Sequence, residues 1–174
     1  MCQITQSKPL SVSAIGVRLS DEIPKDNYNY GQLQIRFEDD SVGWYEAGWG
    51  PMISETAFFV KDVIGPNGSV SIVSDDDTFN KDSDNIENHT KNNCLKIHSS
   101  KLDSDDNFIS PNRKIIYDED PSHQDLCDYE QEYFYRSISE DIDLKSHMED
   151  AYKSLQIALA CDEAVKKGKT VFLD

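Results

Sequence analysis

The order of patterns along this chain narrows its fold more than any single residue does: strand-like alternation comes first, and helical periodicity comes last. Between Pro121 and Asp174 the sequence reads as two capped helices followed by a short strand, Thr170 to Leu173. Ser122 with Asp125 fits an N-cap and a third-position acid, and Ser146 with Glu149 repeats the arrangement as a fuller capping box. The second helix is expected to run to Lys167, with Lys166 and Lys167 at its negative end and Gly168 free to take a left-handed cap. At about 100° per residue, Ala151, Leu155, Ala158, Leu159 and Val165 share one face, widened by Ile157, Ala160, Cys161 and Ala164. Only a strip around Lys153, Gln156, Glu163 and Lys167 stays polar, so the helix is expected to touch two partners. Leu155 and Leu159 are expected to be buried against a sheet.

Residues 10–73 read as that sheet. Ser11 to Leu19 alternates loosely, whereas Tyr30 to Glu38 alternates cleanly, with Leu33, Ile35 and Phe37 on one face and Gln32, Gln34, Arg36 and Glu38 on the other. Asp39-Asp40-Ser41 signals a tight turn into an antiparallel partner, Val42 to Trp49. Ala57 to Ile64, the turn Gly65-Pro66-Asn67-Gly68 and Ser69 to Val73 form another hairpin. Cys94 to His98 and Arg113 to Tyr117 read as short edge strands. Strands followed by segregated helices indicate an α+β fold: an open, mainly antiparallel sheet with helices packed on one face.

Residues 74–93 hold six acids, five Asn and almost no apolar side chain, which cannot support a core position. Residues 100–107 have the same character, so both read as acidic loop insertions in a single domain spanning 1–174. The 17 basic and 33 acidic residues leave a net charge of −16, which disfavours nucleic acid and anionic membranes as partners. Cys2, Cys94, Cys127 and Cys161 form no CxxC pair and read as reduced thiols of a cytoplasmic protein. No run reaches the roughly 20 apolar residues of a membrane span, and no secretory signal opens the chain.

The stretch from Gly31 to Trp49 resembles a strand pair in the C-terminal domain of the Gfo/Idh/MocA family. Val63 to Ile72 is similar to that family's strand–Gly-x-x-Gly–strand hairpin. Glu130 to Phe134 with Ile138, then His147, Ala151, Ser154-Leu155 and Gly168-Lys169, resemble its closing helices. These pieces keep the family's order over nearly the whole chain, apart from the acidic insertions. The resemblance implies a domain of an NAD- or NADP-dependent oxidoreductase acting on a sugar or polyol. It also implies a homo-oligomer formed through the sheet face.

A complete enzyme of this kind carries a Rossmann domain, and no Gly-x-Gly-x-x-Gly follows a strand here. The family's Glu-Lys-Pro motif is absent, and Ser7-Lys8-Pro9 stands at the wrong point in the order. Met1 to Ile4 reads as the tail of the helix that carries the family's catalytic aspartate and histidine. We therefore expect no catalytic residue, no cofactor bound by this chain itself, and a role either as a fragment or as a free-standing domain. In the second case a separate Rossmann-domain subunit would supply the cofactor. A non-catalytic module binding a partner or paralogous subunit through its sheet is the other reading.

Trp44, Tyr45, Trp49 and Met52 make the densest aromatic patch, and core or sheet-face packing is its simplest explanation. The resemblance adds a second one, in which Trp49, Met52 and Glu55 line a substrate cleft and His123 reaches into it. Glu130 falls among Leu126, Tyr133 and Phe134, where a buried acid would need a partner. His89 and His98 read as solvated, and His147 as a capping or surface residue. Asp75-Asp76-Asp77 and Asp118-Glu119-Asp120 lack the glycine and terminal glutamate of a calcium loop. With no His/Cys cluster at ligand spacing, no metal site is expected.

Overall fold

The computed structural model describes residues 1–49, 61–73, 94–117, 119 and 121–173. Expectations for Ala57 to Val60, for residues 74–93 with His89, and for Asp118 and Asp120 lie outside the described residues. The described chain is α+β and forms two compact units, residues 1–53 with 136–174 and residues 54–135.

Unit 1 opens on a short helix, α1 (Cys2–Thr5), which Gln6 ends in a left-handed conformation with φ 52°. Strands β1 (Pro9–Val17), β2 (Tyr30–Phe37) and β3 (Val42–Gly48) follow. The first of the unit 2 strands are β4 (Lys61–Gly65) and β5 (Gly68–Ile72), followed by β6 (Cys94–Ser99) and β7 (Arg113–Ile116). Helices α2 (His123–Ser139) and α3 (Lys145–Lys167) and strand β8 (Val171–Phe172) complete the chain. Among the described residues there are two sheets in place of one, each four-stranded and antiparallel, with orders β3-β2-β1-β8 and β4-β5-β6-β7.

The first sheet follows its sequence pattern. Val12 pairs with Ile35 and Ala14 with Leu33, which puts the apolar rows of β1 and β2 on one face. The turn after β2 uses Asp40 at φ 62°, and Asp39 Oδ1 accepts from the Ser41 N–H at 3.1 Å and hydroxyl at 2.6 Å. In the second sheet Gly68 holds φ 139° and lies so close to the His98 carbonyl that a Cβ could not fit. His98 is half-buried instead of solvated: its ring meets Phe108 edge-on and its Nδ1 lies 2.8 Å from Asn112 Oδ1. Residues 101–107 are exposed, as their acidic composition requires.

The core of unit 1 joins Cys2, Val12, Ile35, Phe37, Ile157 and Ala160, with Leu33, Cys161, Val171 and Leu173 packed around them. Helix α3 crosses β1 and β8, and its buried stripe is Ile157, Ala160 and Ala164. This corrects the expected helix face. Leu155 and Leu159 are 57% and 64% exposed, while Lys153 and Gln156 of the supposed polar strip are half-buried. The reason is close approach. A Cβ on Gly16 of β1 would lie 2.8 Å from the Val165 methyl group and 2.7 Å from the Tyr28 ring, so the contact admits small side chains and turns the large ones outward.

Caps agree with expectation at two of three ends. Ser122 and Asp125 satisfy each other's amides at 2.9 and 3.1 Å, and the Ser122 hydroxyl, donating to Asp125 Oδ2 at 2.7 Å, together with the Ser122 N–H holds the Asp125 carboxyl below its ordinary range. Gly168 closes α3 at φ 60°, its N–H donating to the Ala164 carbonyl. The expected box at Ser146 does not form, because Asp143 Oδ1 takes the Lys145 N–H at 2.8 Å and the helix starts earlier. Glu130 is exposed and needs no buried partner.

Replacing Ile157 by Ala should cost about 2–5 kcal/mol, as for a large-to-small core change. Leu155→Ala and Leu159→Ala should each cost less than about 1 kcal/mol, near the range of surface substitutions. Urea unfolding of the three variants checks the contrast, and equal losses would contradict the assigned helix face.

Candidate functional site

The aromatic patch frames a hollow of about 210 Å³ in unit 1. Tyr28 and Asn29 enter it from just before β2, Tyr45 from β3, Trp49 from just after β3, and Cys161 from α3. Trp44 is half-exposed, and Tyr45 and Trp49 are more open still, so core packing does not explain the patch. Register places Tyr45 opposite Leu33, on the sheet face toward α3, and Trp44 opposite Gln34, on the other face.

Asn29 organises the hollow. It is only 2% exposed, and its side chain joins two segments. Oδ1 accepts from the Leu19 N–H at 2.8 Å, and Nδ2 donates to the Trp49 carbonyl at 3.0 Å. Its backbone adds two more bonds, donating to the Val17 carbonyl at 3.2 Å and accepting from the Trp49 N–H at 2.9 Å. The end of β1 and the exit from β3 are therefore clamped to the start of β2. This fixes the backbone that carries Trp49.

Charge in the hollow is muted. Burial pushes the Tyr28 phenol up, assisted by Cys161 and Asp162, and burial likewise raises the Cys161 thiol. Tyr30 donates to Glu46 Oε1 at 2.6 Å, and that hydrogen bond raises its own phenol. Both phenols and the thiol thus stay protonated at neutral pH, and Cys161 is not poised as a nucleophile. The lining offers aromatic faces and neutral hydrogen-bonding groups, which suits an uncharged, hydroxyl-bearing ligand.

Of the expected site residues, Trp49 lines this hollow. Met52 and Glu55 lie outside the described residues. His123 opens α2 and belongs to unit 2; it is half-buried, with Nε2 3.6 Å from Cys127 Sγ. The sequence reading missed Asn29, Tyr28 and Cys161. Its available signal was Tyr28-Asn29-Tyr30, a polar residue between two aromatics directly before a strand. Among the described residues, no group of three or more His, Cys, Asp or Glu side chains could hold a metal ion. No helix among them is long and apolar enough to cross a membrane.

No protein-family model matches the sequence, and no curated protein is significantly similar to it. Solved structures do share its fold. An aldose-aldose oxidoreductase from Caulobacter crescentus, solved in complex with glycerol, is similar over 99% of this chain at 16% identity and a TM-score of 0.65. A levoglucosan dehydrogenase, solved with NADH and levoglucosan, is similar over 95% of this chain at 16% identity and a TM-score of 0.66. At 16% identity the likeness is one of fold, to a part of these oxidoreductases. The chain spans less than half of each matched protein, 43% and 45% of their lengths.

Asn29→Ala should remove both side-chain clamps and cost about 1–3 kcal/mol, the penalty for leaving buried groups unpaired. Amide exchange at Leu19 should accelerate beyond the global loss of stability, since its acceptor disappears. Exchange at Leu19 that tracks only global unfolding would contradict the clamp.

Proposed function

We propose that this chain is the substrate-covering and association domain of a Gfo/Idh/MocA-like sugar or polyol oxidoreductase, without activity on its own. The observation that carries this reading is the whole-chain likeness at a TM-score of 0.65 to an oxidoreductase of which it spans 43%. The Trp49 hollow supports it, because aromatic faces beside neutral donors suit the C–H and O–H faces of a polyol. NAD or NADP would be held by a Rossmann-type partner, and this chain would contribute the wall over the reacting carbon.

Two tryptophans make a direct test possible. Titrating glycerol and levoglucosan into the chain should shift the Trp49 indole resonance and leave that of Trp44 in place, since Trp49 lines the hollow and Trp44 does not. No Trp49 shift at hundreds of millimolar polyol would count against the substrate role.

The outer face of the first sheet supports a second reading, association between copies of the chain. Ile15, Val42, Trp44 and Phe172 all stand exposed on that face, around Gln34 and Arg36. An apolar row of this kind marks an interaction surface. A net charge of −16 opposes self-association, so dimer formation should strengthen as salt screens it. Sedimentation should show a dimer at tens of micromolar in high salt that Trp44→Lys dissociates. A monomer at every salt concentration would eliminate this reading.

A further inference from the structure

We propose that unit 1 carries a second small-molecule site, a hollow beside α3 that receives a monocarboxylate with an apolar body. The hollow has a volume of about 430 Å³, within the usual range of roughly 300–1,000 Å³ for ligand sites. Its walls come from the N-terminal half of α3, the start of β1 and the segment after β8. Pro9, Met148, the Tyr152 ring and Leu173 make its interior apolar.

The polar groups around it divide into engaged and available ones. Lys145 lies 4.0 Å from Glu149, and Lys153 lies 3.7 Å from Asp150, so both of these lysines have a counter-charge. Lys8 also lines the hollow, and it forms no ion pair among the described residues. Gln156 Nε2 donates to the Tyr152 hydroxyl at 3.3 Å, which leaves the Tyr152 O–H as a donor. One uncompensated ammonium and one available O–H thus stand against apolar walls.

This combination selects a ligand class. A carboxylate can accept from both Lys8 Nζ and Tyr152 O–H, and the bond to the ammonium is charge-assisted. An alkyl or aryl body of about ten heavy atoms would cover Pro9, Met148 and Leu173 and take their surface out of water. An amine would meet Lys8 with like charge. A dicarboxylate would set its second charge against apolar walls or Glu149. None of these residues lines the Trp49 hollow, so the two sites can be tested separately.

Calorimetry of the chain with octanoate, octanol and octylammonium tests the site. Octanoate should bind with one-to-one stoichiometry and more tightly than either of the others. Lys8→Gln should weaken octanoate about fivefold, the worth of an exposed charge pair, and leave octanol unchanged. Met148→Trp should fill the hollow and abolish binding of both. The proposal is overturned by no measurable octanoate binding, by octanol binding as tightly as octanoate, or by octanoate affinity that neither substitution changes.

Discussion

The close seat of α3 on β1 is the contact on which the rest of unit 1 depends. Gly16 has no room for a Cβ between the Tyr28 ring and Val165, and the helix answers with Ala160 and Ala164, both buried. Small residues on both sides let the two backbones approach, and that brings Ile157 onto the core of Val12, Ile35 and Phe37. The same approach carries Cys161 to the wall of the Trp49 hollow and holds Tyr28 beneath it. A larger residue at position 16 would disturb the core and the site together.

That contact also explains what could be read from the sequence. Strand β2 was legible because a period of two offers only two faces, and its apolar residues fill one of them. Helix α3 was legible in length and in its Gly168 cap, but not in orientation. Its apolar residues cover so much of the circumference that periodicity alone does not choose a face. The decision fell to side-chain size: the tight contact takes alanines and expels Leu155 and Leu159. The start of α3 was misread for a local reason, since Asp143 competes with Ser146 for the role of cap.

The candidate site was legible in part. Aromatic density singled out Trp49, whose position after β3 follows from the strand pattern. Asn29 was not legible, because an asparagine before a strand looks like a turn residue. Only the fold shows that the ends of three strands converge on it and leave its side chain 2% exposed with both ends bonded. The hollow therefore owes its aromatic walls to composition and its geometry to one buried amide. The raised phenols and thiol keep its lining uncharged, a property no spacing in the sequence encodes.

Helix α3 further separates the charge of the chain from its apolar surface. It carries four lysines and four acids, so it is neutral within a chain of net charge −16. Lys166 with Asp162, and Lys167 with Glu163, pair side by side across the last turn. Such exposed pairs add little stability individually. Their effect here is to leave Met148, Tyr152, Leu155 and Leu159, roughly opposite the buried stripe at about 100° per residue, on a surface without net charge. The acid excess lies elsewhere, notably in residues 74–93 with six acids against two lysines. An apolar helix face can be covered by another protein surface without burying unpaired charge. Neutrality of α3 therefore sets its apolar face apart from the acid excess of a chain whose net charge is −16.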